Sequence, residues 1–371
     1  MRILVNGINA KSGGGKSIFN NLLKVAALAQ VSDEFIVISP DYEEYKKFEQ
    51  PNIKLIKVSP FFQNNIVYFF FYFFYLNRIL IKNKIDVLLN LGDIIAATKV
   101  KQVYLFDWAY AVYPESLVWQ RMGPKERLAR KFKIALISLY IQKIRLVIAQ
   151  TKVTAFRLKS VFKLKNIEII PNGVSLDHFS TDQTRVFMFP DNKFKLLYLT
   201  RYYTHKNLEI FIPLAQLIKQ RNLPYLIITT IDEDQHALAK VFLAKVKDLG
   251  LLDIIQNVGS VKLSDVPSIY QQTDSLLMPT LLEYFSGTYL DAMYHEKIII
   301  TSDFDFSREV CGDNALYFNA LDEFDILGKI TDAHKNTDAS REMITRARES
   351  LNLYESWEVN LEKILVLIKN I

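Results

Sequence analysis

Short apolar runs of five to seven residues recur along most of this 371-residue chain, separated by longer stretches with helical spacing. In the first half they read RILVNGI (from Arg2), EFIVISP (from Glu34), IKLIKVS (from Ile53), VLLNLG (from Val87), VYLFD (from Val103), LVIAQT (from Leu146) and IEIIPNG (from Ile167). In the second half they read FKLLYLT (from Phe194), YLIITTI (from Tyr225), IIQNVGS (from Ile254), SLLMPT (from Ser275) and KIIITSD (from Lys297). Runs that are apolar throughout, rather than alternating, are the pattern of parallel strands covered by helices on both faces. The chain therefore predicts an α/β architecture with a doubly wound sheet in each half. Turn chemistry at Pro171, Asn172 and Gly173 marks the boundary. The stretch from Thr181 to Lys193 has no clear period and reads as an irregular connection, and ESWEVNLEKILVLIKNI at the end reads as an amphipathic helix with no later strand to serve.

Composition changes little in this picture. Half the residues are hydrophobic and 23% are charged, which is globular rather than disordered. A length of 371 residues is too long for one ordinary core, in line with two domains. Cys311 is the single cysteine, so no intramolecular disulfide forms and a reducing compartment is expected. The net charge of +6 suits anionic ligands or a membrane surface, and is too small to point to nucleic acid. Arg2 is followed by a short strand-like run and then glycines, not by the apolar core of a signal peptide.

Two segments bear on membranes. The run IVYFFFYFFYL, Ile66 to Leu76, holds eight aromatics in eleven residues, too few to span a bilayer that needs about 20. It reads either as a buried helix or as an aromatic surface facing lipid or a lipid-linked substrate. Arg121 to Arg145 carries eight Lys or Arg and one acidic residue at helical spacing. Basic amphipathic helices rest on anionic lipid, although a solvated helix face gives the same pattern.

Ligands of open α/β sheets bind beyond the carboxyl ends of the strands, where helix N-termini offer free N–H groups. After FKLLYLT come Arg201 and Lys206, two cations that can converge on a diphosphate. After SLLMPT come Glu283, then the small-residue turn Ser286, Gly287 and Thr288, then Asp291 one turn into a helix. The turn can present N–H groups to phosphate, and Asp291 can reach paired hydroxyls such as those of ribose. Near the N-terminus, NAKSGGGKS (from Asn9) has the tail of a P-loop, but Ala10 stands where the first glycine belongs.

At this point the chain resembles a family. Glu283 and Asp291 stand at the spacing of the E-x7-E motif of retaining GT-B glycosyltransferases, particularly family 4. PNGVSLDHF (Pro171–Phe179) resembles the interdomain segment of that family, Arg201 with Lys206 its R-x4-K pair, and Val258–Ser260 the strand before its nucleobase pocket. TSD and EVCGDNALYFN (Thr301–Asn319) and the YESW stretch from Tyr354 to Trp357 continue the order over about 190 residues.

The resemblance implies two Rossmann-like domains facing across a cleft: 1–172 binding the acceptor, 173–354 binding a nucleotide sugar, and 355–371 a helix crossing back to the first. It implies that Arg201 and Lys206 stabilise a UDP- or GDP-linked diphosphate, and that Glu283 contacts the sugar. Phe285, Ser286, Gly287 and Thr288 would lie at the phosphates and sugar, Gly259 at the base, and Asp291 at the ribose. Gly13, Gly14 and Gly15 would be a loop forming the acceptor-domain wall of the cleft, with GKS a coincidence of composition. No cofactor or metal is implied, because the cations take that role. The acceptor would be a glycan or lipid-linked glycan in bacterial surface polysaccharide synthesis, at a cytoplasmic enzyme peripheral to the inner face of the membrane.

The departures are specific. Asp291 is one methylene shorter than the usual glutamate, Ser286 replaces a glycine, and Glu296 and Ile298 replace the common Gly and Pro. Phe106 occupies the slot of an N-domain histidine, and all five histidines (178, 205, 236, 295 and 334) lie beyond residue 172. Asp107 is the candidate to orient or deprotonate the acceptor hydroxyl, with Trp108 and Tyr110 beside it on the acceptor side. The departures keep a catalytically inactive, sugar-nucleotide-binding GT-B protein as the alternative; a P-loop NTPase would leave everything after Pro171 without a role. Asp303 with Asp305, and Asp232 with Asp234, have the D-x-D form of metal-binding transferases but sit in GT-B-like text, so no metal site is assigned to them.

Overall fold

A computed structural model describes residues 1–10, 13–29, 32–64, 67–92, 94–173 and 185–371, and the structural statements below concern these. The chain divides into two compact units. The first comprises Met1–Pro114, Gly123–Val174 and Glu355–Ile371, and the second Glu115–Met122 and Ser175–Tyr354. Of the PNGVSLDHF stretch, the residues after Gly173 lie outside the description, as do the first residues of the 181–193 connection.

The first unit holds strands β1 (Arg2–Asn6), β2 (Glu34–Ser39), β3 (Ile53–Lys57), β4 (Val87–Asn90), β5 (Lys101–Leu105), β6 (Leu146–Ala149) and β7 (Ile167–Ile169). They form one parallel sheet in the order β3-β2-β1-β4-β5-β6-β7. The second unit holds β8 (Phe194–Tyr198), β9 (Tyr225–Thr229), β10 (Ile255–Asn257), β11 (Ser275–Met278), β12 (Ile298–Ser302) and β13 (Leu316–Phe318), parallel in the order β10-β9-β8-β11-β12-β13. Central strands such as β4, β6, β9 and β12 are buried at every position, as continuous apolar runs require. Each sheet reverses its winding once, between β1 and β4 and between β8 and β11. These are the points where an open α/β sheet presents its crevice.

The three glycines after β1 depart from expectation. They do not form a loop but open the helix Gly13–Leu28. The unsatisfied N–H groups of a first helical turn make this an anion-facing end even without a P-loop. A Cβ built on Gly14 would meet nothing within 4 Å, whereas one on Gly15 would lie 3.4 Å from Asp107 Oδ2. Lys16 is committed to a surface ion pair with Glu44 at 2.8 Å. Lys16→Ala is therefore expected to cost no more than about 1 kcal/mol of stability and to leave transfer near wild type. Gly14→Val is expected to melt near wild type, because among the described residues a Cβ there meets nothing within 4 Å, so that a loss of turnover in it would mark the position as facing the substrate. A melting curve beside a turnover assay reads both, and a dead Lys16→Ala would revive the P-loop.

The aromatic run folds as a continuous helical segment over 68–82, with a π-helical stretch at Phe71–Tyr75 between α-helical Tyr68–Phe70 and Leu76–Lys82. Phe71, Tyr72, Leu76 and Leu80 are buried in the first unit, while Phe70 and Phe74 expose more than half of their surface. One face of this helix is thus buried in the core and the other is exposed.

The helix Trp357–Lys369 belongs to the first unit. Trp357, Leu361, Ile364, Leu365 and Ile368 join β1 and the Gly13–Leu28 helix in one core. Asn360 donates to the Pro171 carbonyl at 2.9 Å, and a Cβ at Gly173 would fall 2.7 Å from the Trp357 backbone nitrogen.

Candidate active site

In the second unit the sequence-derived residues gather where β8 and β11 end. Lys206 closes the Thr204–Lys206 turn after β8, and Glu283 follows β11. Their side chains form an ion pair, with only 14% and 12% of each exposed. Thr280 donates to the same Glu283 oxygen at 3.1 Å. The Lys206 carbonyl accepts from the Tyr198 hydroxyl at 2.9 Å, which ties the turn back to its strand. So shielded a pair persists because each charge neutralises the other. Arg201, on the same loop after β8, is exposed; the Asp232 carboxyl is held below its usual range by its hydrogen bonds from Ser260 and Gln235 and, to a lesser extent, by the Arg201 charge.

The helix Gly287–Tyr294 begins immediately after Glu283 and Phe285, with Ser286 as its N-cap making no side-chain cap bond. Its first N–H groups are consequently left for a ligand or solvent. The Phe285 ring packs edge-on to Tyr354 at 5.9 Å, and the Thr288 carbonyl accepts from the Tyr270 hydroxyl at 3.3 Å.

Burial pushes the Asp291 carboxyl, one turn into this helix, up to about 7. A carboxyl that is held protonated in the folded state lets the native protein bind a proton that the unfolded chain releases above about pH 4. Stability should therefore fall as pH rises from about 4 to about 7, each unit costing up to about 1.4 kcal/mol. Asp291→Asn is expected to flatten that slope and to raise the melting temperature at pH 7.5 by several degrees. Parallel melting curves at pH 5.0 and 7.5 test it, and equal gains at both pH values would sink the assignment.

Gly259 takes a left-handed backbone (φ +73°), which brings Ser260 N to Asp232 Oδ1 at 2.9 Å. A Cβ on Gly259 would lie 3.2 Å from that oxygen. Asp232 thus anchors the turn after β10, and Asp303 makes a two-pronged pair with Arg308 at 2.5 and 2.8 Å. Both D-x-D segments spend a carboxylate on protein partners. Among the described residues no group of three or more His, Cys, Asp or Glu is placed to hold a metal ion.

The first unit collects the remaining candidates beyond β5. Phe106 is buried, edge-on to Tyr104 at 5.8 Å. Asp107 follows it beside Gly15, and Trp108 and Tyr110 lie ring to ring at 5.7 Å. The helix Pro124–Tyr140 caps them: Arg130 lies over Tyr110 at 3.8 Å and Lys133 over Trp108 at 3.9 Å. Cations over aromatic faces fix ring orientation. This group and the Lys206–Glu283 group belong to different units.

Sequence reasoning missed a buried polar network at the β1/β4 reversal. Asn6 donates to the Tyr72 hydroxyl and to Asn90 Oδ1, both at 2.9 Å, and Asn90 donates to Gln102 at 3.0 Å. Asparagine at the same position near the end of two apolar strands was the available signal. The partner Tyr72, 66 residues from Asn6, was not legible. Also missed were Asn207, Thr280 and the segment 115–122.

Two family models match the chain: "Glycosyltransferase Family 4" over residues 23–178 and "Glycosyl transferases group 1" over residues 180–350. Among curated proteins none matches it in sequence. Similar solved structures include sucrose-phosphate synthase from Thermosynechococcus elongatus, at 15% identity and TM-score 0.77 over 100% of this chain and 98% of that one. HepE of Anabaena, solved with UDP-glucose, aligns at 14% identity and TM-score 0.72 over the whole of both chains. WaaG, a glycosyltransferase involved in lipopolysaccharide biosynthesis, aligns at 14% identity and TM-score 0.71 over 99% of each. At these identities the structures speak for the fold and the family models for descent. With both sheets, their order of strands and the two matched models in agreement, the chain belongs to the family-4-like glycosyltransferases of the GT-B fold.

Proposed function

We propose that this protein is a retaining glycosyltransferase that moves a sugar from a UDP- or GDP-linked donor to a glycan or lipid-linked acceptor, without a metal, in bacterial surface polysaccharide synthesis. The observation that carries the reading is the shielded Lys206–Glu283 pair at the β8/β11 reversal, with the exposed Arg201 on the same loop as Lys206 and a helix start at Gly287 whose N-cap makes no side-chain bond. Arg201, Lys206 and the N–H groups at Gly287 and Thr288 would take up the charge that grows on the diphosphate as the sugar–oxygen bond breaks. Glu283 would hold the sugar hydroxyls, Asp291 the ribose, and Gly259 the turn at the base. The acceptor oxygen would bond to the anomeric carbon on the face the diphosphate leaves, its proton passing to the departing phosphate or to Asp107. Relatives described as bound to UDP-glucose, or as acting in lipopolysaccharide synthesis, support the donor class and the setting.

Thermal shift tests the donor site. A panel of UDP, GDP, ADP and their sugars should include one that stabilises the protein by about 2.7 kcal/mol at 100 times its dissociation constant, and Arg201→Ala should abolish the shift. Silence across the panel would refute the assignment, and strong inhibition by EDTA would refute metal independence.

We further propose that the protein works at the inner membrane face. Among the described residues no helix is long and apolar enough to cross a bilayer. The helix Pro124–Tyr140 exposes Leu128, Phe132, Ala135 and Leu139 as one stripe, and Phe132 touches Phe69 of the aromatic segment at 5.2 Å. Outward apolar residues flanked by exposed Lys125 and Lys131 fit an anionic bilayer. Arg130 is held inward by Glu126 and Tyr110, so charge reversal there probes packing rather than lipid. Leu128→Asp with Phe132→Asp should release the protein from phosphatidylglycerol vesicles at low salt; undiminished binding would overturn the surface.

A further inference from the structure

Asn207 is fully buried, and at φ +57° it takes a left-handed backbone. An asparagine tolerates that conformation where most side chains do not. Its amide nitrogen donates to the Pro279 carbonyl at 3.0 Å and to the Ala320 carbonyl at 2.8 Å. The residue directly after Lys206 is thereby fastened to the chain leaving β11 and to the chain leaving β13. The loops also meet where the Leu281 N–H donates to the His205 carbonyl at 2.8 Å.

The amide oxygen of Asn207 accepts from Arg121. Arg121 ends the short helix Val118–Arg121, inside the Glu115–Met122 segment of the second unit. At the other end of that segment, the Ser116 hydroxyl donates to the Leu281 carbonyl at 3.4 Å. One short piece of chain therefore grips both loops that carry the ion pair, the Lys206 loop through Asn207 and the Glu283 loop through Leu281. A guanidinium on an amide oxygen is a charge-assisted bond with a planar donor, stiffer than a contact between neutral groups.

We infer that Arg121 and Asn207 are positioning residues for the Lys206–Glu283 pair, with the 115–122 segment acting as a strap across the two donor loops. Neither needs to touch substrate; they set where the Lys206 ammonium and the Glu283 carboxylate stand. The inference rests on the donor-site reading for its chemistry, but the strap itself can be seen without any ligand.

The test compares wild type with Arg121→Ala, Arg121→Lys and Lys206→Ala. Hydrogen exchange read on the ligand-free protein should show the amides of residues 203–210 and 280–284 exchanging about tenfold faster in Arg121→Ala, the loss of about one strong hydrogen bond, while β8, β9 and β12 are unchanged. Release of UDP or GDP from UDP-glucose and GDP-mannose, whichever is turned over, should fall about tenfold for Arg121→Ala and return most of the way for Arg121→Lys, whose ammonium can still donate to the Asn207 oxygen. Melting temperature should move by no more than a few degrees. Unchanged loop exchange in Arg121→Ala would overturn the strap. So would a uniform rise in exchange across the unit, or an activity loss that Arg121→Lys does not relieve. Full turnover in Lys206→Ala would instead overturn the donor-site reading, and leave the exchange result to decide the strap alone.

Discussion

Glu283→Ala is expected to lower kcat by at least about 10²–10³-fold, the scale of losing one charged group from a preorganised transition-state site. The structure adds that this variant will also be less stable. Lys206 would be left largely buried without its counter-charge, at a cost of about 3 kcal/mol, or roughly 6–12 °C of melting temperature for a domain of this size. Glu283→Gln separates the two effects. It keeps an oxygen that accepts from Lys206 and from Thr280 but not the counter-charge, so it should melt between wild type and the Ala variant while still losing transfer. Melting curves and donor turnover for both variants check this. A Gln variant that turns over normally would remove Glu283 from the chemistry, and an Ala variant that melts like wild type would mean that the pair is not shielded.

Gly173→Ala should destabilise the first unit strongly. A Cβ there would stand 2.7 Å from the Trp357 nitrogen and 2.9 Å from its α-carbon, backbone atoms that cannot rotate out of the way. The start of the Trp357–Lys369 helix must move, loosening Trp357, Leu361 and Ile364 from the core. A loss of about 3 kcal/mol follows from overpacking of this kind. At Gly14, by contrast, the same methyl meets open space. Denaturant midpoints for the two alanine variants should differ accordingly; equal midpoints would refute the close approach.

The strands were legible because buried parallel strands leave a local mark, continuous apolar runs of four to six residues such as Val87–Asn90 and Tyr225–Thr229. The short edge strand Leu316–Phe318 leaves little mark, since LYF is only three residues long and partly exposed. The candidate donor residues were legible because the proposed chemistry needs cations, carboxylates and small turn residues at strand ends, and those types are visible in one dimension. Their supports were not. Asn207 looks like any loop asparagine until its left-handed backbone and three partners are seen, and nothing in the order of residues ties Arg121 to a position 86 residues later. The glycines at 13–15 suggest a loop because they lack side chains. They open a helix because the segment that follows, with Ile18, Phe19, Leu22, Leu23 and Ala26 buried on one face, carries the helix back over them despite the poor helix propensity of glycine.

The placement of Glu355–Ile371 in the first unit has a consequence for how the protein comes into being. That unit contributes residues up to Val174 early in synthesis, but its core is completed only by Trp357, Leu361, Ile364, Leu365 and Ile368. On a ribosome adding about 5–20 residues per second, the wait is roughly 10–40 seconds. Through that interval the part of the core that the Trp357–Lys369 helix covers stands open, and by its end the second unit has its full complement of strands. The later half of the chain can thus finish folding before the earlier half. In a cell short of chaperones, the nascent first unit is where aggregation would begin.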